Sequence, residues 1–305
     1  MMKNRVVLIG CGNVGMSYAY ALLNQHTYVD ELVLIDLNVK RVIGEAMDLN
    51  HCLAYSPSRV LVRVGDYEDC RDAKIVVIAA GANQELGETR MDLIDKNSHI
   101  FSSIVENVMK SGFDGIFLIA TNPLDVMTQL TLEYSGLDPH RVIGSGTTLD
   151  TARLKYLISE KIGICPKDIQ AFVIGEHGDS EFVAWSNANV ALTSLDEFLS
   201  KDEKIKLEEE VRNSAYEIIE RKGATYYGIG MCLVRITSAI LEDKNIVLPV
   251  SCYDQENEIC ISTPAIVNST GVLKKIFIPL DDEETKKLEK SIATIKKAIE
   301  NCHRK

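Results

Sequence analysis

The chain has 305 residues, with 33 Lys plus Arg against 44 Asp plus Glu and a net charge of -11. At roughly 150 residues per domain this length fits two domains; the acidic balance argues against a nucleic-acid partner or an anionic membrane surface. A composition of 46% hydrophobic and 25% charged residues is that of a soluble globular protein and excludes disorder, collagen or coiled coil as a whole-chain reading, and no apolar run reaches the ~18 residues of a membrane span.

In chain order, short β-branched runs over residues 5–9, 32–35, 60–64, 75–79, 116–120 and 141–143 predict strands. Near-continuous apolar runs of this length suit a parallel sheet covered on both faces. Longer amphipathic segments such as 92–110 lie between several of them, so the first half reads as βαβ units of a doubly wound sheet. The second half differs. A helix opens near Thr148, a strand is expected over 171–174, and a charged helical segment over 196–222 carries Leu207, Val211, Ala215 and Ile218 on one face, with Gly223 to stop it. An apolar helix over 230–241, strands over 246–250, 259–261 and 276–280, and a closing amphipathic helix with an acidic start at 281–284 follow. The expected fold is α/β: a Rossmann-type parallel sheet over residues 1–144, then an α+β substrate domain over 145–305.

The apolar run at 6–9 is too short for a secretory signal. Eight scattered cysteines without a CxxC pair read as thiols of a reducing cytosol, and six histidines show no metal-ligand spacing. A cytoplasmic protein without a metal is expected.

Gly10-Cys11-Gly12-Asn13-Val14-Gly15 follows the first strand and opens a helix. The first glycine permits the tight turn, the second lets backbone approach a pyrophosphate, and the third allows helix–strand packing. Asp36 ends the next strand 21 residues after Gly15. A carboxylate there can take both ribose hydroxyls of NAD and would repel the 2′-phosphate of NADP.

Gly175-Glu176-His177-Gly178-Asp179 places a histidine in a glycine-flanked loop after a strand, where it can shuttle a proton or simply face solvent. Asp150 and Arg153 share a helix face, as an ion pair or as partners of that histidine and of a substrate carboxylate. The segment from Gly81 and Ala82 through Gln84 to Arg90 follows the fourth strand, at the ligand-binding edge of the sheet, and its flanking glycines suit a lid. Thr121-Asn122-Pro123 ends the fifth strand.

Taken together, GCGNVG, GETR, ATNP, LDTAR and GEHGD in this order and spacing resemble the L-lactate dehydrogenases of the lactate/malate dehydrogenase family, in its compact bacterial form. The resemblance covers nearly the whole chain, through Thr263-Pro264-Ala265 and the last helix. It implies reversible reduction of pyruvate by NADH at the end of fermentative glycolysis, in a homotetramer. It gives His177 the role of proton donor and acceptor, Asp150 that of its partner, Arg153 that of substrate-carboxylate anchor, and Arg90 that of carbonyl polariser. Asn122 would orient the carbonyl and touch the cofactor; Ile229 would pack beside the nicotinamide. Gly10, Gly12, Asn13, Val14, Gly15, Asp36, Gly81 and Ala82 would line the dinucleotide. Gln84 stands where an arginine would pair with the second carboxylate of oxaloacetate, and Thr225 where a small residue bounds the methyl end of pyruvate. Lys155 and Gln170 fall where some bacterial relatives bind fructose bisphosphate with an arginine and a histidine. Lysine still meets a phosphate, whereas glutamine supplies no cation. Leu86 replaces a frequent proline, and Cys52 and Ser262 replace frequent glycines. The rival readings are a malate or branched-chain 2-hydroxyacid dehydrogenase, a non-catalytic NAD sensor, and another Rossmann enzyme sharing only the first turn.

Overall fold

A computed structural model describes residues 4–82 and 90–303, without the side chains of 90–92. Six parallel strands, β1 (Arg5–Ile9), β2 (Glu31–Ile35), β3 (Leu61–Val64), β4 (Ala73–Ile78), β5 (Ile116–Ile119) and β6 (Val142–Gly144), lie in the order β3-β2-β1-β4-β5-β6. β1, β2, β4 and β5 are buried along almost their whole length, as uninterrupted Val/Ile/Leu runs require when helices cover both faces. Those helices include α1 (Asn13–Leu23), α2 (Val39–Cys52), α3 (Arg90–Lys110) and α4 (Leu124–Ser135). The order in which strands are added reverses between β1 and β4, and the loops leaving β1, β4 and β5 gather at their carboxyl ends, the usual ligand edge of such sheets.

The sheet does not stop at β6. Ser251 of β12 (Ile246–Asp254) pairs with Gly144, and β13 (Ile259–Asn268) and β14 (Gly271–Lys275) extend the same sheet antiparallel to nine strands. Gly144 and Gly146 permit this junction: a Cβ on Gly146 would lie 2.5 Å from the Ser251 backbone nitrogen. Around it stand α5 (Thr148–Ile162), α6 (Lys201–Lys222), α7 (Tyr227–Leu241) and α8 (Asp282–His303), with short strands β7 (Ile169–Gln170), β8 (Val173–Ile174), β9 (Phe182–Val183), β10 (Asn189–Val190) and β11 (Thr193–Ser194).

Two expected strands differ. Of the run over 171–174 only Val173–Ile174 pairs, with β9, while Ile169–Gln170 before it pairs with β10. Residues 276–280 form no strand. Pro279 lacks a donor, and Ile278 and Leu280 pack onto Ile174 and Phe182 instead; the pairing strand is 271–275. The helix of the charged segment starts at Lys201, where Ser200 and Glu203 form a capping box, and ends on Gly223 at φ +83°.

Candidate active site

The glycine turn is built as its sequence requires. Gly10 has φ +98°, and a Cβ there would strike the Ala80 backbone at 2.3 Å; one on Gly15 would lie 2.0 Å from the Gly10 carbonyl oxygen. Gly12 is the opposite case: no atom stands within 4 Å of its absent Cβ, and it offers α1 no side-chain cap. The amides of Asn13 and Val14 begin α1 and have no partner within the helix, and a pyrophosphate fits at such a helix N-terminus. Asp36 stands beside them, its Oδ2 accepting the Cys11 N–H at 2.7 Å and its Oδ1 the Asn38 N–H at 2.9 Å. Val14, Ala79, Ala120 and Ile229 flank one continuous apolar cluster. Ile229 reaches it because α7 packs tightly on α1, with Gly230 against the Ser17 backbone and Tyr18 Oη 2.9 Å from Thr237 Oγ1. These features fit a dinucleotide.

Gly81, Ala82 and Asn122 leave β4 and β5 side by side. Buried Asn97 of α3 ties the two loops, its Oδ1 accepting the Ala82 N–H and its Nδ2 donating to the Asn122 carbonyl, both at 2.8 Å. Sequence reasoning passed over Asn97, which looks like an ordinary polar residue in an amphipathic helix. Gln84 and the side chain of Arg90 lie outside the described residues.

Asp150, Arg153 and His177 converge. Asp150, 1% exposed, accepts Arg153 Nη1 on Oδ1 at 2.8 Å and faces His177 Nδ1 with Oδ2 at 2.6 Å. The helix and the histidine loop are fastened together: Thr147 Oγ1 donates to the Val173 carbonyl at 2.6 Å, and the Val173 N–H donates to Thr151 Oγ1 at 3.0 Å. With Nδ1 engaged, Nε2 is left to carry a transferable proton. Burial drives the His177 pKa down, but the Asp150 charge and hydrogen bond, with Glu181 and Asp125, push it from 6.5 to about 9. Burial would raise Asp150; the imidazolium and Arg153 hold it below the usual carboxylate range instead. A protonated histidine, an ionised aspartate and a shielded arginine form a site for an anionic, proton-accepting substrate.

Glu181, four residues after His177, was missed in the sequence. Its Oε2 lies 3.9 Å from His177 Nδ1, and burial together with the Asp150 charge pushes its pKa to about 9. Ligand atoms of Asp150, His177 and Glu181 fall within 4.8 Å of one another, a spacing that also suits a cation. His177 and Arg153 already supply the positive charges facing Asp150, so proton chemistry describes the group.

Thr225 lies just before α7, and α7 meets α5 closely: a Cβ on Gly228 would lie 2.6 Å from Leu149 Cδ1. Asp150 and Arg153 are also near enough to Cys232 to act on its thiol, which burial pushes to about 12. Half-buried Lys155 holds Nζ 5.7 Å from the Phe172 ring centre, and Gln170 is exposed on β7.

A family model for the lactate/malate dehydrogenase NAD binding domain matches residues 4–144, and one for the family's alpha/beta C-terminal domain matches 147–305. An L-lactate dehydrogenase of Oceanobacillus iheyensis is 51% identical over 303 residues, covering 96% of this chain and 94% of that one. One of Macrococcus caseolyticus is 52% identical, covering 96% of each. The crystal structure of a lactate dehydrogenase from a Medee basin deep-sea metagenome superposes with a TM-score of 0.96 at 47% identity, covering 99% of this chain and all of that one. The ligand-bound minor L-lactate dehydrogenase of Enterococcus mundtii gives 0.95 at 42%, covering 98% of each. With both halves matched and half of all positions identical across nearly its full length, the chain belongs to the lactate/malate dehydrogenase family.

Proposed function

We propose that the protein is an NAD-dependent L-lactate dehydrogenase interconverting pyruvate and L-lactate. The observation that carries this is Asp150, buried between His177 and Arg153 and bonded to both. NAD supplies the hydride acceptor and donor. Gly10, Gly12, Asn13, Val14, Gly15 and Asp36 would hold its phosphate and ribose portions, and Gly81, Ala82, Asn122 and Ile229 would line the rest. Arg153 grips the substrate carboxylate, positioning the 2-oxo carbon. His177 gives its proton to the carbonyl oxygen in reduction and takes it from the hydroxyl in oxidation; Asp150 holds the ring and its charge. Arg90 stabilises the oxygen as negative charge develops. Gln84 and Thr225 set specificity: a neutral glutamine offers no ion pair to a second carboxylate, which would be left uncompensated in a closed site.

We further read residues 1–144 as the NAD-binding domain and 145–305 as the catalytic domain of a cytoplasmic homotetramer in fermentative glycolysis, without a nucleic-acid or membrane partner. Among the described residues no helix is long and apolar enough to cross a membrane. An exposed apolar row on α2 (Val39, Ile43, Met47) supports assembly with further copies. Lys155 and Gln170 keep only half of a cationic effector pair. Initial rates of NADH oxidation with pyruvate, oxaloacetate and branched 2-oxo acids, with and without fructose bisphosphate, test the reading. Pyruvate should be turned over fastest. Preference for another acid overturns the substrate assignment, and NADH binding without turnover overturns the enzyme.

A further inference from the structure

Asp125 lies in the first turn of α4, three residues beyond Asn122, and is 2% exposed. Its Oδ2 accepts the backbone N–H of His177 at 2.7 Å. Its Oδ1 accepts two buried hydroxyls, Ser251 Oγ of β12 at 2.6 Å and Ser262 Oγ of β13 at 3.1 Å. Ser262 also holds the histidine loop by its backbone, exchanging hydrogen bonds of 3.0 and 3.2 Å with Gly175. Gly175 has φ +96°, and a Cβ there would lie 2.6 Å from Ser291 Oγ, so the loop turns against β13 only with glycine at that place. The loop carrying His177 is thus fixed at two points, at Gly175 and at its own amide.

We infer that Asp125, clamped by Ser251 and Ser262, is a positioning residue of the proton-transfer site, holding the His177 backbone while Asp150 holds the ring; this rests on His177 being the proton donor. Ser262 stands at a position where the family resemblance has a frequent glycine. Its place is explained by the carboxylate it meets. A buried carboxylate is costly unless its oxygens are filled, and here an amide and two hydroxyls, all donors, fill them. Burial raises the Asp125 pKa, opposed by Ser251, the His177 N–H, the imidazolium and Ser262. Among the described residues, the titratable and charged groups around His177 are Asp150 and Arg153 from α5, Glu181 from its own loop, Asp125 from α4, and Arg212 of α6, which donates to the Glu181 carbonyl at 3.3 Å. Asp125 is the one among them bonded to the His177 main chain.

The test is a mutant cycle on the full-length enzyme with pyruvate and NADH. Asp125→Ala should lower kcat by about 10- to 100-fold, the scale of a lost charge-assisted hydrogen bond, with the KM for NADH unchanged. Asp125→Asn can turn its amide, accept the His177 N–H and donate to a serine, so it should recover much of kcat, while the pH midpoint of kcat/KM moves down because a negative charge is gone. Ser262→Ala should cost roughly 3- to 10-fold alone and nothing further in the Asp125→Ala background. Should Asp125→Ala not fold, Ser262→Ala and Ser251→Ala in the native and Asp125→Asn backgrounds carry the cycle. Folded Asp125 variants with native kcat and pH midpoint overturn the inference, as do serine effects that simply add. A His177→Gln arm separates the two readings: if it keeps turnover, the proton-donor assignment fails; if it abolishes turnover while the Asp125 and serine variants do not, only the clamp fails.

Discussion

Replacing Asp150 by Asn removes a charge and little volume, so it isolates what that charge does for His177. The folded environment raises the histidine from 6.5 to about 9, and with 1.36 kcal/mol per unit this is roughly 3 kcal/mol in favour of the imidazolium. Burial acts the other way, and Asp150 is the largest of the opposing groups. In the variant the amide oxygen still accepts Nδ1–H and orients the ring, but the pKa should fall towards 6.5, its ordinary value. At pH 8 the protonated fraction then drops by roughly 10- to 30-fold, and at pH 6 it recovers to about three quarters or more. Arg153 loses its 2.8 Å partner, so the KM for pyruvate should change at all pH values. The assay is kcat/KM for pyruvate from pH 5.5 to 9.5 at saturating NADH, native against Asp150→Asn. A midpoint that stays near 9 in a folded, active variant would refute the claim that the Asp150 charge holds the proton on His177.

Other expectations follow from single contacts. Gly12→Ala should fold normally, because its Cβ has open space, yet bind NADH at least about tenfold more weakly by obstructing the phosphates; Gly15→Ala, whose Cβ would sit 2.0 Å from the Gly10 carbonyl oxygen, should instead lose thermal stability. Titration calorimetry and melting curves separate the two. Gln84→Arg should shift kcat/KM from pyruvate towards oxaloacetate by one or more orders of magnitude; an unchanged ratio defeats the specificity role of Gln84. Glu181→Gln tests the second buried carboxyl through stability. Its folded pKa of about 9 lies above the ordinary 4.5, so the native chain holds an extra proton between those values. The stability it provides is complete below 4.5 and is lost as pH rises through that window, with a slope of up to about 1.4 kcal/mol per unit. The variant should flatten the profile and gain on the native enzyme towards pH 9, as chemical denaturation will show.

How much was legible in the sequence depended on the range of the interaction. The parallel strands and the glycine turn were readable because their signals are local: apolar runs of strand length, and glycines where backbone must approach backbone. Asp150 with Arg153 was readable as a helical neighbour pair, and His177 stood out between glycines. The segment at 276–280 reads as a strand, but its apolar residues serve packing on Ile174 and Phe182 and not a ladder. The parts that escaped are long-range. Asn97 reaches Asn122 across 25 positions, and Ser262 reaches Asp125 across 137. The spacing to Asp125, three after Asn122, and to Glu181, four after His177, was visible, but nothing in a one-dimensional pattern shows that Glu181 turns towards the imidazole and Asp125 towards the His177 main-chain amide. Ser262 read as an unexplained departure and acquires a reason only when β13 is laid against the histidine loop.

The most direct test measures the native enzyme in both directions across pH. Reduction of pyruvate needs the imidazolium and oxidation of L-lactate needs the neutral ring, so kcat/KM for pyruvate should fall, and that for lactate rise, through a common midpoint set by the raised pKa of His177, about 9. Mirror-image profiles are the predicted result. Profiles that bend the same way, or a lactate limb that shows no ionisation in this range, would contradict the assignment of His177 as the group that exchanges the proton.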